Sequence, residues 1–315
     1  MAEVFFPTLE KVATLLIFIA LGYFLRHKNL LPGDASKVLG KLCANIFLPA
    51  YTVLNISKNM TLDTLGENGL LALSGLVWLL GGMLPAFLIG RFWSRTPMEK
   101  ATLTYTFLFS NYGYFGYPVI EGVFGEAVLG RMMLFLLPFS IAINSLGYSL
   151  FVEKSGGFAA TAKRLAKTPV LWSVLLGVIL GLTGLPLPGV IRGVLSGAGA
   201  CMSPVSMLLA GVVLGGYPLK KLFGGKKGYL VVAARMLLFP AAGLGLCLLF
   251  RLKGYFFLFP MVMHCMPLGL NIVVFPESRG MDASENARMV FQSTLFSLLL
   301  LPPALTLIFR LAGLA

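Results

Sequence analysis

The stretch Ser110-Asn111-Tyr112-Gly113-Tyr114-Phe115-Gly116-Tyr117-Pro118 decides how this chain is read. It lies inside an otherwise apolar segment that runs from Ala101 to Glu126. A continuous membrane helix has no use for an Asn, two Gly and a Pro within eight positions. Proline removes a backbone donor and clashes with the preceding turn, and glycine lowers helix propensity. In hydrocarbon the freed backbone groups must find partners inside the protein or in a water-lined cavity. The segment therefore reads as two half-helices joined by an unwound peptide. A second stretch matches it late in the chain: Met266-Pro267-Leu268-Gly269-Leu270-Asn271. Two interrupted segments in corresponding positions of two halves point to the binding site of a transporter.

Composition sets the frame for that reading. The 315 residues are 57% hydrophobic and 12% charged, with a mean hydropathy of +0.87. Soluble domains are about 45–50% apolar and about a quarter charged, so this is an all-α integral membrane protein. A span takes about 20 residues, which leaves room for roughly ten. Phe5 to Leu25 follows Glu3 rather than a basic region and lacks a small-residue cleavage site. It reads as a first span and not as a signal peptide. The four cysteines, Cys43, Cys201, Cys247 and Cys265, stand singly in apolar segments. Their spacing suits neither a metal nor a disulfide framework.

In chain order the spans fall at about 5–25, 36–57, 68–90, 101–126, 131–152, 169–186, 194–215, 229–250, 255–278 and 287–311. Span 2 carries Pro49 and is expected to bend or break there. The longest loop, Glu153 to Thr168, divides the chain into halves. Of the 25 Lys and Arg, 17 lie in the turns after odd-numbered spans and 7 on the opposite side; Arg235 lies within span 8. By the positive-inside rule the richer side is cytoplasmic, and both termini then face outward. The net charge of +13 is accounted for in this way, without a nucleic-acid partner.

The halves echo each other. Pro49 answers to Pro204, Arg131-Met132 answers to Arg288-Met289, and the interrupted span is the fourth in each half. Five spans per half force the second half to enter from the opposite side, which is an inverted repeat. The expected division is 1–152 for the first repeat, 153–168 for a cytoplasmic linker and 169–315 for the second repeat.

At this point the residues resemble a family. Asn111-x-x-x-x-Gly116-x-Pro118 followed by Phe124-Gly125, together with Pro267-x-Gly269-x-Asn271 and the Arg235-to-Pro240 spacing, resembles the auxin efflux carrier family. That family includes plant auxin efflux facilitators and bacterial permeases linked to malate and malonate. The resemblance covers essentially the whole chain. It implies ten spans in a 5+5 inverted repeat with spans 4 and 9 crossing, as in sodium/proton antiporter-like and bile acid symporter-like architectures. It also implies a scaffold of spans 1, 2, 6 and 7, a mobile bundle of spans 3–5 and 8–10, and a homodimer in the cell membrane. The chain departs from plant members in two places: the long cytoplasmic loop is short, and span 3 carries no charge.

Chemistry singles out the candidate residues. Asn111 and Asn271 offer two donors and an acceptor each, suited either to a substrate carboxylate or to capping a broken helix end. Tyr112 belongs to the same unwound stretch. Gly113, Gly116 and Gly269 let backbone approach a ligand or another helix closely, while Pro118 and Pro267 shape the break. Half-helix N-termini offer free N–H groups and partial positive charge, which favours an anion. Asn45 and Asn144 are further candidates for lining the cavity from spans 2 and 5. Charged groups within spans default to functional hypotheses. Glu121 and His264 are candidates for proton coupling, each with a packing or capping role as the alternative. Arg235 either sits buried or snorkels to the interface.

No phosphate loop is present: Gly224-Gly225-Lys226-Lys227 lacks the leading Gly and the trailing Ser/Thr. No HExxH or GxSxG pattern occurs. The expectation is a secondary carrier, not an enzyme, that moves an auxin-like or malate/malonate-like carboxylate by alternating access. It would use no cofactor, and coupling to protons or sodium stays open. A membrane sensor binding the same anion without moving it is the rival, and an intramembrane enzyme is disfavoured for want of facing catalytic pairs.

Overall fold

The structure is a computed structural model that describes residues 2–151 and 157–314. Among the described residues the chain is helical, with a single isolated bridge between Ser110 and Leu268 and no strand. The helices are α1 (Ala2–His27), α2 (Ala35–Asn59), α3 (Leu65–Trp93), α4 (Pro97–Leu108), α5 (Tyr112–Phe135), α6 (Leu137–Gly147), α7 (Gly157–Ala166), α8 (Pro169–Thr183), α9 (Gly189–Leu214), α10 (Leu219–Leu222), α11 (Lys226–Leu249), α12 (Gly254–Cys265), α13 (Asn271–Glu277) and α14 (Ser284–Leu311).

Six of these helices are long and apolar enough to cross a membrane, or eight if each of two bent pairs counts as one span. The expectation of ten is not met by length alone, for a physical reason. The halves of the interrupted segments are too short: α4 and α12 have 12 residues each, about 18 Å at 1.5 Å per residue. The hydrocarbon core is about 30 Å thick. α3 shows the other extreme, with 29 residues; Leu71 and Leu79 are buried on one face, and leucines such as Leu80 and Leu84 are exposed.

Some prolines here sit next to a widened helical turn rather than at a break. Four π-helical turns occur among the described residues, at Cys43–Phe47, Tyr112–Gly116, Ile143–Gly147 and Ala234–Leu238. Three of them run straight into Pro49, Pro118 or Pro240 at the second position of the next helical segment. The proline ring would clash with the carbonyl a turn earlier, and a π-turn gives that carbonyl room. The expected bend at Pro49 is thus a local widening inside α2.

Two seams of glycine join the first two helices to α8 and α9. α1 packs on α9, with Gly22 against the Leu208 carbonyl and Gly211 against the Ile19 carbonyl. α2 packs on α8, with Gly177 on Ile56 and Gly181 against the Met60 carbonyl. A Cβ at any of the four would collide with its neighbour, so these helices approach as closely as small residues allow.

Two sequence boundaries need correction. The expected turn between spans 4 and 5, after residue 126, is instead made at Gly125 (φ 85°, ψ 169°). Contacts on either side of it trace the reversal: Glu121 meets Tyr51 and Glu126 meets Lys58 along α2, whereas Arg131 meets Glu67 and Phe135 meets Gly75 along α3, the next helix. Only glycine takes that φ at no cost, and a one-residue turn leaves no polar run in the sequence to mark it. The expected linker 153–168 begins outside the described residues, but from Gly157 it is the helix α7 rather than a loop. Arg164 ties α7 back to α6: its Nε donates to the Asn144 carbonyl at 2.9 Å and its guanidinium lies 4.4 Å from the Tyr148 ring centre.

Candidate functional site

α4 and α12 both stop in the interior. α4 gives way to extended Phe109, and α12 to extended Met266 and then Pro267. The two unwound peptides lie antiparallel and bond to each other. Asn111 N–H donates to the Pro267 carbonyl at 2.8 Å beside the Ser110–Leu268 bridge. Leu268 N–H donates to Ser293 Oγ at 3.1 Å. In this way backbone groups freed by the breaks are satisfied inside the protein, as hydrocarbon requires. The glycines make the approach possible. A Cβ on Gly269 would stand 3.2 Å from the Tyr105 ring and 3.5 Å from the Ser110 carbonyl oxygen.

The breaks form the floor of a cavity of about 970 Å³. Of the sequence candidates, Asn111, Tyr112, Gly113, Gly269 and Asn271 line it at the breaks, and Asn45 and Asn144 line its walls. Asn111 is 6% exposed and its amide makes no hydrogen bond among the described residues; it does not cap the half-helix that follows it. The Asn271 amide is engaged, with Nδ2 donating to the Tyr105 hydroxyl at 3.0 Å. Asn45 and Asn144 each donate one amide hydrogen one turn back, to the carbonyls of Lys41 and Ser140. The N–H groups of Tyr112, Gly113 and Tyr114 find no acceptor among the described residues, and nor do those of Gly269, Leu270 and Asn271. Two helix starts with free donors therefore meet at one place, the arrangement that holds anions at helix N-termini.

The charge of the lining has one sign. Lys37, Lys41, Lys163, Arg164 and Lys167 line the cavity toward its mouth, and no Asp or Glu lines it among the described residues. All five belong to the basic side of the sequence. Such a funnel concentrates anions at a low-dielectric cleft.

The remaining candidates stand away from the cavity lining. Gly116 abuts the second break, where a Cβ would meet Met266 Sδ at 3.3 Å. Pro118 is buried in the first turn after the π-helical segment, and Pro267 contributes its carbonyl to Asn111. Glu121 accepts a hydrogen bond from the Tyr51 hydroxyl at 2.6 Å. His264 lies 5.6 Å from the Trp78 ring and 5.7 Å from Phe239, on a separate apolar cavity of about 670 Å³. Arg235 is 1% exposed, so it is buried and does not snorkel. Nor do the cysteines pair: all four are free thiols.

Several residues escaped the sequence reading. Tyr105 holds Asn271, yet the two are 166 positions apart. Ser293 and Asn286 come from α14; Asn286 donates to the Ile272 carbonyl at 2.6 Å and accepts from Thr102 Oγ1 at 3.1 Å, joining both broken segments. A polar residue inside an apolar span was the available signal for both. The five basic residues were visible in the sequence but counted only toward topology.

Comparison with known proteins fits this geometry. A family model described as membrane transport protein matches residues 7–304. The chain belongs to this auxin efflux carrier-type family of membrane transporters. An uncharacterized transporter of Methanothermobacter thermautotrophicus is 27% identical over 305 residues, spanning 95% of this chain and 98% of the relative. One from Methanocaldococcus jannaschii is 29% identical over 301 residues, spanning 93% and 96%. The uncharacterized transporter YfdV of Escherichia coli is 25% identical over 211 residues, 64% of this chain and 66% of its own. Membership makes the chain a multi-pass membrane transporter, and none of these names carries a substrate.

Proposed function

We propose that the protein is a secondary carrier of small organic anions, of the malate, malonate or auxin type, working by alternating access. The observation that carries this reading is the meeting of two broken helices at the floor of a cavity whose charged lining is wholly basic. The carboxylate sits among the free N–H groups of Tyr112, Gly113 and Gly269 and the amides of Asn111 and Asn271, with Asn45 and Asn144 on the walls. Gly116, Pro118 and Pro267 keep the breaks open.

On this reading the chain makes ten spans in a 5+5 inverted repeat, 1–152 and 169–315, and the broken spans 4 and 9 cross at the substrate. The paired glycine seams support spans 1, 2, 6 and 7 as the scaffold, because α1 with α9 and α2 with α8 pack in reciprocal fashion. Spans 3–5 and 8–10 then move as the transport bundle. The cavity mouth lies on the basic side, which the positive-inside rule makes cytoplasmic. The conformation is thus inward-open, both termini are outside, and the carrier is a homodimer in the cell membrane. Neither Glu121 nor His264 lines the cavity, which favours drive by the anion's own gradient and the membrane potential over proton coupling through them.

Counterflow in proteoliposomes tests the reading. Vesicles loaded with unlabelled malonate, malate or indole-3-acetate should accumulate the same labelled anion transiently. A sensor binds without counterflow, and absence of counterflow for every carboxylate in a broad panel, with folded protein, rules the carrier out.

A further inference from the structure

The first halves of the broken segments, α4 and α12, both end in the interior. A helix C-terminus leaves carbonyl oxygens without intrahelical partners and carries about half a unit of negative charge. Two such ends brought together away from water need a cation or a set of donors. One side chain answers that need. Arg235 projects from the π-helical turn Ala234–Leu238 in α11. Its Nε donates to the Thr106 carbonyl at 2.8 Å, and its Nη1 donates to the His264 carbonyl at 2.6 Å. Thr106 lies in the last turn of α4 and His264 in the last turn of α12. No carboxylate lies within ion-pair distance of Arg235 among the described residues. The Phe239 ring also lies beside the charge, 5.6 Å from Cζ. The π-turn ahead of Pro240 places the guanidinium there by adding one residue to the helical turn.

Converging carbonyl oxygens are also the ligands that strip and hold a hard metal cation. The Thr106 hydroxyl, buried with no partner, belongs to the same donor chemistry. We infer that Arg235 is a tethered cation occupying the position where two half-helix C-termini would otherwise hold a coupling metal ion, so that transport by this protein requires no sodium. A guanidinium keeps its proton in proteins and cannot dissociate, so both ends stay neutralised whether the substrate site is full or empty. Arg235 is therefore a positioning residue: it fixes the two breaks from behind while the anion binds in front. The inference rests on the carrier reading for its transport consequence, but not for its structural one.

The test has two arms. In the first, purified parent and Arg235→Ala proteins are melted in choline chloride, sodium chloride, and choline chloride with methylguanidinium at a non-denaturing concentration. The parent should be indifferent to the cation. The Arg235→Ala protein should melt lower in choline and recover on addition of methylguanidinium or sodium. In the second arm, parent counterflow should be equal in sodium and choline. Counterflow by Arg235→Ala in choline should fall by about tenfold or more and rise again with the added cation. Arg235→Lys keeps a tethered charge and should transport in choline; it serves if the alanine variant does not fold. The inference is overturned by a parent that needs sodium, by an Arg235→Ala protein that melts like the parent in choline, or by an Arg235→Lys protein that transports only with sodium. If no anion gives counterflow, the carrier reading fails while the melting arm still decides the role of Arg235.

Discussion

The two breaks look alike in sequence and differ in the structure. Each offers Pro, Gly and Asn within a few apolar positions, yet the asparagines are held differently. The Asn111 backbone is tied to the second break through the Pro267 carbonyl, and its side chain makes no hydrogen bond among the described residues. The Asn271 side chain is tied to Tyr105. One amide is free to meet a ligand, and the other is held in place before the ligand arrives. A pair of matching motifs therefore supplies two jobs, an uncommitted contact and a preorganised one.

Substitution should separate the two jobs. Asn111→Ala removes a donor that no protein group replaces. A hydrogen bond to a charged group contributes about 1.5–3 kcal/mol, so binding of the cognate carboxylate should weaken roughly 10–150-fold. Asn271→Ala should cost about tenfold by the same argument and should also release Tyr105. Isothermal titration on both variants reads the order, and equal parental affinity in both would remove the breaks from the binding site.

Tyr105→Phe sharpens the comparison further. It leaves both asparagines in place but unties Asn271, a neutral bond of about 0.5–1.5 kcal/mol. Affinity should fall only a few-fold, and the loss should vanish in an Asn271→Ala background. Additive losses would mean that Tyr105 acts independently of Asn271.

The prolines bear on the rate. Pro267→Ala lets the second break heal toward continuous helix, and Pro118→Ala lets the π-turn behind the first break relax toward α-helix, so counterflow should slow more than binding weakens. A change in affinity with turnover intact would contradict this.

The smallest effect belongs to the basic face. There Glu99 is held by Lys227 Nζ at 2.7 Å and by the Arg95 N–H at 2.8 Å. The hydrogen bond from Lys227, then that from Arg95, keeps its carboxyl below the usual carboxylate range. A lowered folded-state pKa stabilises above the unfolded value and is lost as pH falls through the folded one. The pair is partly exposed, so Glu99→Gln should cost less than about 1 kcal/mol at neutral pH. Melting curves of parent and variant should converge in acid; a constant gap would show that the charge is not involved.

The sequence showed the breaks because Pro, Gly and Asn are conspicuous against leucine and phenylalanine. It showed the basic face because charge stands out against 57% hydrophobic residues. It did not show what the breaks touch. Tyr105 with Asn271, and Arg235 with the carbonyls of Thr106 and His264, are pairings across distant segments, and no local pattern encodes them. Nor did hydropathy mark the turn at Gly125, since apolar residues continue on both sides of it. Arg235 appeared as a charge in a span, but its partners are backbone carbonyls, which every residue carries.

Gly113 offers the most direct test of the central claim that the carboxylate binds at the two breaks. It lines the cavity, and a Cβ there meets nothing within 4 Å, so Gly113→Cys is tolerated sterically. The background is Cys201→Ser, because Cys43, Cys247 and Cys265 are buried. A membrane-impermeant maleimide applied to inside-out vesicles should label this cysteine, and the carboxylate that gives counterflow should slow the labelling in proportion to site occupancy. Labelling at an unchanged rate under saturating carboxylate would place the substrate elsewhere and contradict the account.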